Sequence, residues 1–167
     1  MQEKWRVMIK VLFVCLGNIC RSPLAEGLFR ARVGEAGLDN KIVIDSAGTD
    51  SWHAGQPPDE RMRALAAERG IQLDCTARNL RKDDLLEFDY VIAMDHSNRE
   101  RITRVHERID NATSRIFLMR AFDPVGNLDA EVPDPYYGDN ADFETVYEIL
   151  DRCTQNLLSF VVKEHYL

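Results

Sequence analysis

One stretch, Cys15-Leu16-Gly17-Asn18-Ile19-Cys20-Arg21-Ser22-Pro23, gathers a nucleophile, an anion-binding cation and a flexible backbone within nine residues. A cysteine attacks phosphorus as its thiolate. An arginine carries a planar fork that holds two oxygens of a phosphate through an in-line displacement, which a lysine cannot imitate. The spacing alone proves little, because Cys75 and Arg81 repeat it without a glycine, a following hydroxyl or a flanking apolar strand. Around Cys15 the context supplies the physics. A loop that ends at a helix N-terminus turns its N–H groups inward and makes a nest for a tetrahedral oxyanion. Gly17 lets the backbone curl, and the same field favours the thiolate of Cys15, helped by Arg21, with the hydroxyl of Ser22 as a further candidate donor. Leu16, Gly17, Asn18, Ile19, Cys20 and Ser22 are therefore the candidate phosphate-binding positions, with Cys15 and Arg21 as catalytic residues. Cys20 reads equally as packing and as a redox partner that would trap an oxidised Cys15 as a disulfide. Cys75 and Cys153 read as core thiols.

Positioning such a loop takes a strand before it and a helix after it. Val7 to Val14 is almost continuously apolar, as in a strand covered on both faces of a parallel sheet. Further apolar runs at Ile42 to Ile44, Tyr90 to Met94 and Ile116 to Met119 alternate with helical patterns, which predicts a doubly wound α/β sheet. Ser22-Pro23 reads as the cap of the first helix, which buries Leu24, Leu28 and Phe29 and stops near Gly37. A second helix carries Met62, Leu65 and Ala66 toward Gly70. A third opens on a capping box, Ser97 to Glu100, ahead of Ile102, Val105 and Ile109. The last, from about Asp142 to Val162, lays Phe143, Val146, Tyr147, Leu150, Leu157, Leu158 and Val161 on one sheet-covering stripe. Gln56 to Asp59 and Pro124 to Asp139 read as surface loops.

A thiolate displacing an alkoxide or phenolate needs a proton donor opposite the sulfur. Asp134, held between Pro133 and Pro135, is the candidate: the following proline biases it toward extended backbone and the pair stiffens its mount. The same carboxylate would then deprotonate the water that cleaves the phosphocysteine. Asp123 also precedes a proline but lacks the Tyr136-Tyr137 pair, and is ranked a turn.

The 167 residues, at 19.2 kDa, suit a single domain spanning 1–167. A net charge of −7 leaves no basic excess for nonspecific nucleic-acid binding. The run from Val11 to Leu16 is too short for a signal segment or membrane span, so a cytoplasmic location is expected, with the four cysteines reduced. His53, His96, His106 and His165 show no paired ligand spacing, and with neither a Walker loop nor a dinucleotide fingerprint no metal or cofactor is expected.

The segment Val11 to Glu26 resembles the signature loop of the low-molecular-weight protein tyrosine phosphatases. Ser46 to Thr49, Trp52-His53, Gly55 and Asp134 to Gly138 resemble that family's other segments in order. The resemblance implies four parallel strands with helices on both faces, a three-layer flavodoxin-like architecture. It also implies that Asn18 and Ser46 support the loop and that Trp52, Tyr136 and Tyr137 wall a cleft. Such a slot, deep enough for a phenyl ring, would leave shorter phosphoserine out of reach of the sulfur. The expected partner is a phosphotyrosine protein, with a tyrosine kinase as a further candidate, and the expected state is a monomer or weak homodimer. Rival readings are a thioredoxin-coupled arsenate reductase, which needs a nearby second cysteine pair; a protein arginine phosphatase, in which threonine would replace Ile19; and a noncatalytic phosphotyrosine-binding module.

Overall fold

The computed structural model describes residues 7–167. Its sheet has four parallel strands, β1 (Ile9–Cys15), β2 (Ile42–Gly48), β3 (Tyr90–Ala93) and β4 (Arg115–Leu118), in the spatial order β2-β1-β3-β4. This is the expected doubly wound α/β architecture, with helices α1 (Arg21–Glu35), α2 (Glu60–Glu68), α3 (Asp84–Glu87), α4 (His96–Glu107) and α5 (Asn140–His165) between and after the strands. β1 is central, paired with β2 on one side and β3 on the other, which explains its unbroken apolar character. Its alternate residues serve two cores. Val11, Phe13 and Cys15 face the layer of α1, α2 and α5, while Leu12 and Val14 pack with Leu85, Phe88 and Ile102 on the other side.

Several element ends differ from the sequence expectation, each for a local reason. β1 begins at Ile9, where β2 first offers a partner in Ile42; Val7 ahead of it is exposed. Ser22 does not cap α1. The cap position is Cys20, without a side-chain hydrogen bond, and Ser22 turns inward to the sulfur of Cys15. The capping box expected at Ser97 is also displaced: Asp95, two residues past β3, caps α4 directly, accepting from the Asn98 N–H at 2.8 Å. α5 starts earlier than expected because Asp139 and Asp142 form a reciprocal capping box, and it closes on Tyr166 in the left-handed region at φ 53°. The short helix α3 gave no periodic signal.

Leu24, Leu28, Phe29, Met62, Leu65, Ala66 and Ile102 are buried, as is the α5 stripe except for the half-buried Leu158. Gly37 and Gly70 follow α1 and α2 at φ 68° and 78°, a conformation glycine adopts without strain. Cys153 is a core thiol, but Cys75 is only half-buried, because it lies on the irregular chain after α2 rather than on a packed element. Burial pushes both thiols up to about 12, so neither is a ready nucleophile. Asp123 sits in a turn, directly after the single-turn helix Met119–Phe122. Its carboxylate is buried between Arg120 at 2.8 Å and Arg152 at 2.7 Å; burial opposes ionisation, but these bonds prevail and hold it below the usual carboxylate range. No helix among the described residues is long and apolar enough to cross a membrane.

Candidate active site

Cys15 is the last residue of β1, aligned with Gly48 of β2, and the chain leaves the sheet there to form a tight loop that becomes α1. The turn depends on Asn18, whose φ of 56° lies in the left-handed region that asparagine tolerates better than most residues. That conformation sends the Asn18 N–H back to the Cys15 sulfur at 3.3 Å. Gly17 sits so close to the His53 ring that a Cβ there would meet it at 3.0 Å. α1 opens with no side-chain cap and no acidic residue in its first turn, so the positive end of its dipole faces the loop uncompensated.

Beneath the loop runs a directional hydrogen-bond chain. The Asn18 carboxamide oxygen accepts from the Arg78 N–H at 3.0 Å, which fixes the amide's orientation. Its nitrogen therefore donates to Ser22 Oγ at 2.8 Å and to Ser46 Oγ at 2.9 Å. Ser46 donates its own proton to Glu26 at 2.7 Å, and the hydroxyl of Ser22, already accepting from Asn18, has the Cys15 sulfur at 3.0 Å and, farther off, the Ala47 carbonyl at 3.5 Å. The sulfur is the nearer of the two, so Ser22 is placed to donate to a thiolate. Glu26 anchors the chain while nearly inaccessible: burial raises it above the usual carboxylate range, against the bonds from Ser46 and Arg30.

Arg21 lies along the other wall with its side chain 3% exposed. One terminal nitrogen donates to Asp95 at 2.7 Å and to the Val132 carbonyl at 3.0 Å; the other stands 3.6 Å from Asp134. Burial opposes its charge, but Cys15, Asp95 and Asp134 outweigh that and raise it further, so the guanidinium is permanently cationic. Cys20 lies in the same loop, buried. Burial first, then the charges of Asp59, Cys15 and Asp134, push its thiol far up, so it stays protonated.

These residues floor a cleft of about 280 Å³ lined by Cys15, Leu16, Gly17, Ile19, Cys20, Arg21 and, at the rim, Asp50, Trp52, His53, Asp134, Tyr136 and Tyr137. The side chains of Asn18 and Ser22 lie below the floor, bonded to each other, to Ser46 and to the sulfur, and are not among the residues that line the cleft. Asp134 is 42% exposed and accepts from the Tyr136 N–H at 3.1 Å. Tyr136 stacks edge-on with Tyr137 and leans on His53, while Trp52 and Tyr137 stand 82% and 96% exposed. Sequence reasoning gave no role to Asp95, Glu26, Arg78, Asp50 or His53. Asp95 carried a usable signal, since a polar residue just past the third strand lies at the same carboxyl end of the sheet as Cys15; the buried role of Glu26 had none beyond its helical spacing from Ser22.

The family model for low molecular weight phosphotyrosine protein phosphatase matches residues 10–166. A chicken (Gallus gallus) protein of that name is 44% identical over 155 residues, covering 93% of this chain and 95% of its own. Among solved structures, a protein tyrosine phosphatase from Entamoeba histolytica superposes with a TM-score of 0.86 at 40% identity, covering 95% of this chain and 99% of that one. An arginine phosphatase from Drosophila reaches the same TM-score at 30% identity, over 92% and 98% of the two chains, so the backbone alone does not discriminate between those substrates. With the sulfur, the guanidinium and the loop arranged as above, and the family model matched almost end to end, the chain belongs to the low molecular weight phosphotyrosine protein phosphatase family.

Proposed function

We propose that the protein hydrolyses phosphotyrosine and small aryl phosphate monoesters through a cysteinyl-phosphate intermediate. The observation that carries this reading is the placement of the Cys15 sulfur, with N–H and O–H donors from Asn18 and Ser22 below it and Arg21 beside it, at the bottom of an aromatic-rimmed cleft. Loop N–H groups and the free edge of Arg21 take the three nonbridging oxygens of the phosphate. Charge spreads over those oxygens in the transition state, and donors already fixed in place stabilise it without reorganising.

In the first half-reaction the S–P bond forms as the bond from phosphorus to the phenolic oxygen breaks, and Asp134 gives that oxygen its proton. In the second, Asp134 takes a proton from water, the oxygen of that water bonds to phosphorus, the S–P bond breaks, and inorganic phosphate leaves. Leu16, Ile19, Tyr136, Tyr137 and Trp52 supply the apolar walls for the tyrosyl ring. The partner implied is a protein bearing phosphotyrosine.

Turnover of matched phosphotyrosine, phosphoserine and phosphoarginine peptides tests the reading. Phosphotyrosine should lead the others by at least about tenfold in kcat/KM, the consequence of about 1.4 kcal/mol of differential binding in the transition state. Preferential turnover of phosphoarginine would move the protein to the activity named for the Drosophila relative, and phosphotyrosine binding without hydrolysis would make it a binding module.

A further inference from the structure

Arg61 does not line the cleft, yet it reaches two of the segments that shape it, the Tyr136 loop directly and the phosphate loop through Asp59. It sits in the first turn of α2, whose cap Asp59 it grips through two nitrogens at 3.1 and 3.0 Å. The Asp59 N–H donates to the Ile19 carbonyl of the phosphate loop at 2.7 Å. The Arg61 nitrogen at 3.0 Å from Asp59 also donates to the Tyr136 carbonyl at 2.9 Å, and the guanidinium lies 4.6 Å from the ring centre of Phe143 at the start of α5. Tyr136 is the residue whose N–H holds the Asp134 carboxylate. One arginine therefore grips the carbonyl of the residue whose amide aims the acid, and through Asp59 it ties that residue to the loop carrying the nucleophile. Arg61 and Asp59 sustain each other: their mutual bonds raise the guanidinium and, against burial, lower the carboxylate, so the pair stays ionised.

We propose that Arg61 is a positioning residue for the acid–base step, clamping the Asp134 loop at a fixed height above the phosphate loop. The proposal rests on the phosphatase reading above. Because, among the described residues, the Asp134 carboxylate is held by one backbone N–H and a 3.6 Å approach to Arg21, its alignment depends on where Tyr136 is held. Misplacement of a proton donor harms poor leaving groups most, since good ones depart with little help.

The test compares wild type, Arg61→Ala, Arg61→Lys, Asp59→Asn and Asp134→Ala across aryl phosphates of graded leaving-group pKa, alongside iodoacetamide alkylation of Cys15 as a readout of the floor. Arg61→Ala should slow phenyl phosphate about tenfold and nitrophenyl phosphate by less than about threefold, with alkylation unchanged. Lysine can reach the Tyr136 carbonyl or Asp59 but not fork between them, so Arg61→Lys should recover only part of the loss. Asp59→Asn should repeat the leaving-group pattern by releasing Arg61, which keeps the proposal testable should Arg61→Ala fold poorly. Equal losses for all leaving groups, or no loss, in both Arg61→Ala and Asp59→Asn would overturn it. If Asp134→Ala itself showed no leaving-group dependence, the assignment of the acid would fall, and the clamp with it. A wild-type protein without aryl phosphate turnover would overturn the phosphatase reading outright.

Discussion

At the floor of the cleft Asn18, Arg21 and Ser22 are buried, and each of these polar side chains has its partners within the protein. At the rim Asp134 rests on one backbone N–H, and Trp52 and Tyr137 project into solvent. The floor is fixed before substrate arrives, which is what stabilising a transient trigonal phosphoryl group demands. The outer rim, Trp52 and Tyr137, is exposed, which suits walls that must admit and release a bulky ring. Changes at the floor should therefore act on the chemical step, and changes at the outer rim on binding.

The largest effect should come from Cys15→Ser, with turnover falling by at least about 10⁴-fold while inorganic phosphate still binds, measured by steady-state kinetics and calorimetry. Arg21→Lys should cost about 10²- to 10³-fold in kcat, because the ammonium cannot follow two oxygens while also bonding Asp95 and Val132. Asp134→Ala should cost about 10²-fold on phenyl phosphate and far less on nitrophenyl phosphate. Trp52→Ala and Tyr137→Ala should raise KM about three- to tenfold with little change in kcat, the share of one aromatic contact. A kcat loss without a KM change at either would erase the distinction between floor and rim.

Asp123 sharpens the comparison from outside the cleft, as a buried and fully bonded carboxylate with no reacting group beside it. Asp123→Asn should leave kcat/KM unaltered and cost about 2 kcal/mol of stability at neutral pH, read by denaturant unfolding. Its carboxylate is held below the usual range, so its contribution is present above the ordinary carboxylate pKa and is lost as pH falls through the lower folded value. The variant should consequently lose less stability than wild type on acidification.

Much of this was legible in the chain because it is local. A continuous apolar strand, a glycine, an arginine at fixed spacing and a Ser-Pro helix start occupy adjacent positions, and the alternation of strands with helical patterns sets the sheet. What was not legible depends on contacts across the fold. Ser22 looked like a helix cap, and only the proximity of β1's last residue turns its hydroxyl to the sulfur. Asp95 reaches Arg21 from 74 residues away, and Arg61 meets Tyr136 from 75. No periodicity encodes those meetings, because they arise where strand ends and loops converge on one edge of a parallel sheet.

The central claim is that phosphorus passes through the Cys15 sulfur. Rapid acid quenching during turnover of a radiolabelled phosphotyrosine peptide, followed by peptide mapping, addresses it directly. The label should be found on the Cys15 peptide as a thiophosphate ester, and should be absent from Cys15→Ser. Robust turnover with no labelled protein, or with the label on a histidine or carboxylate, would contradict it.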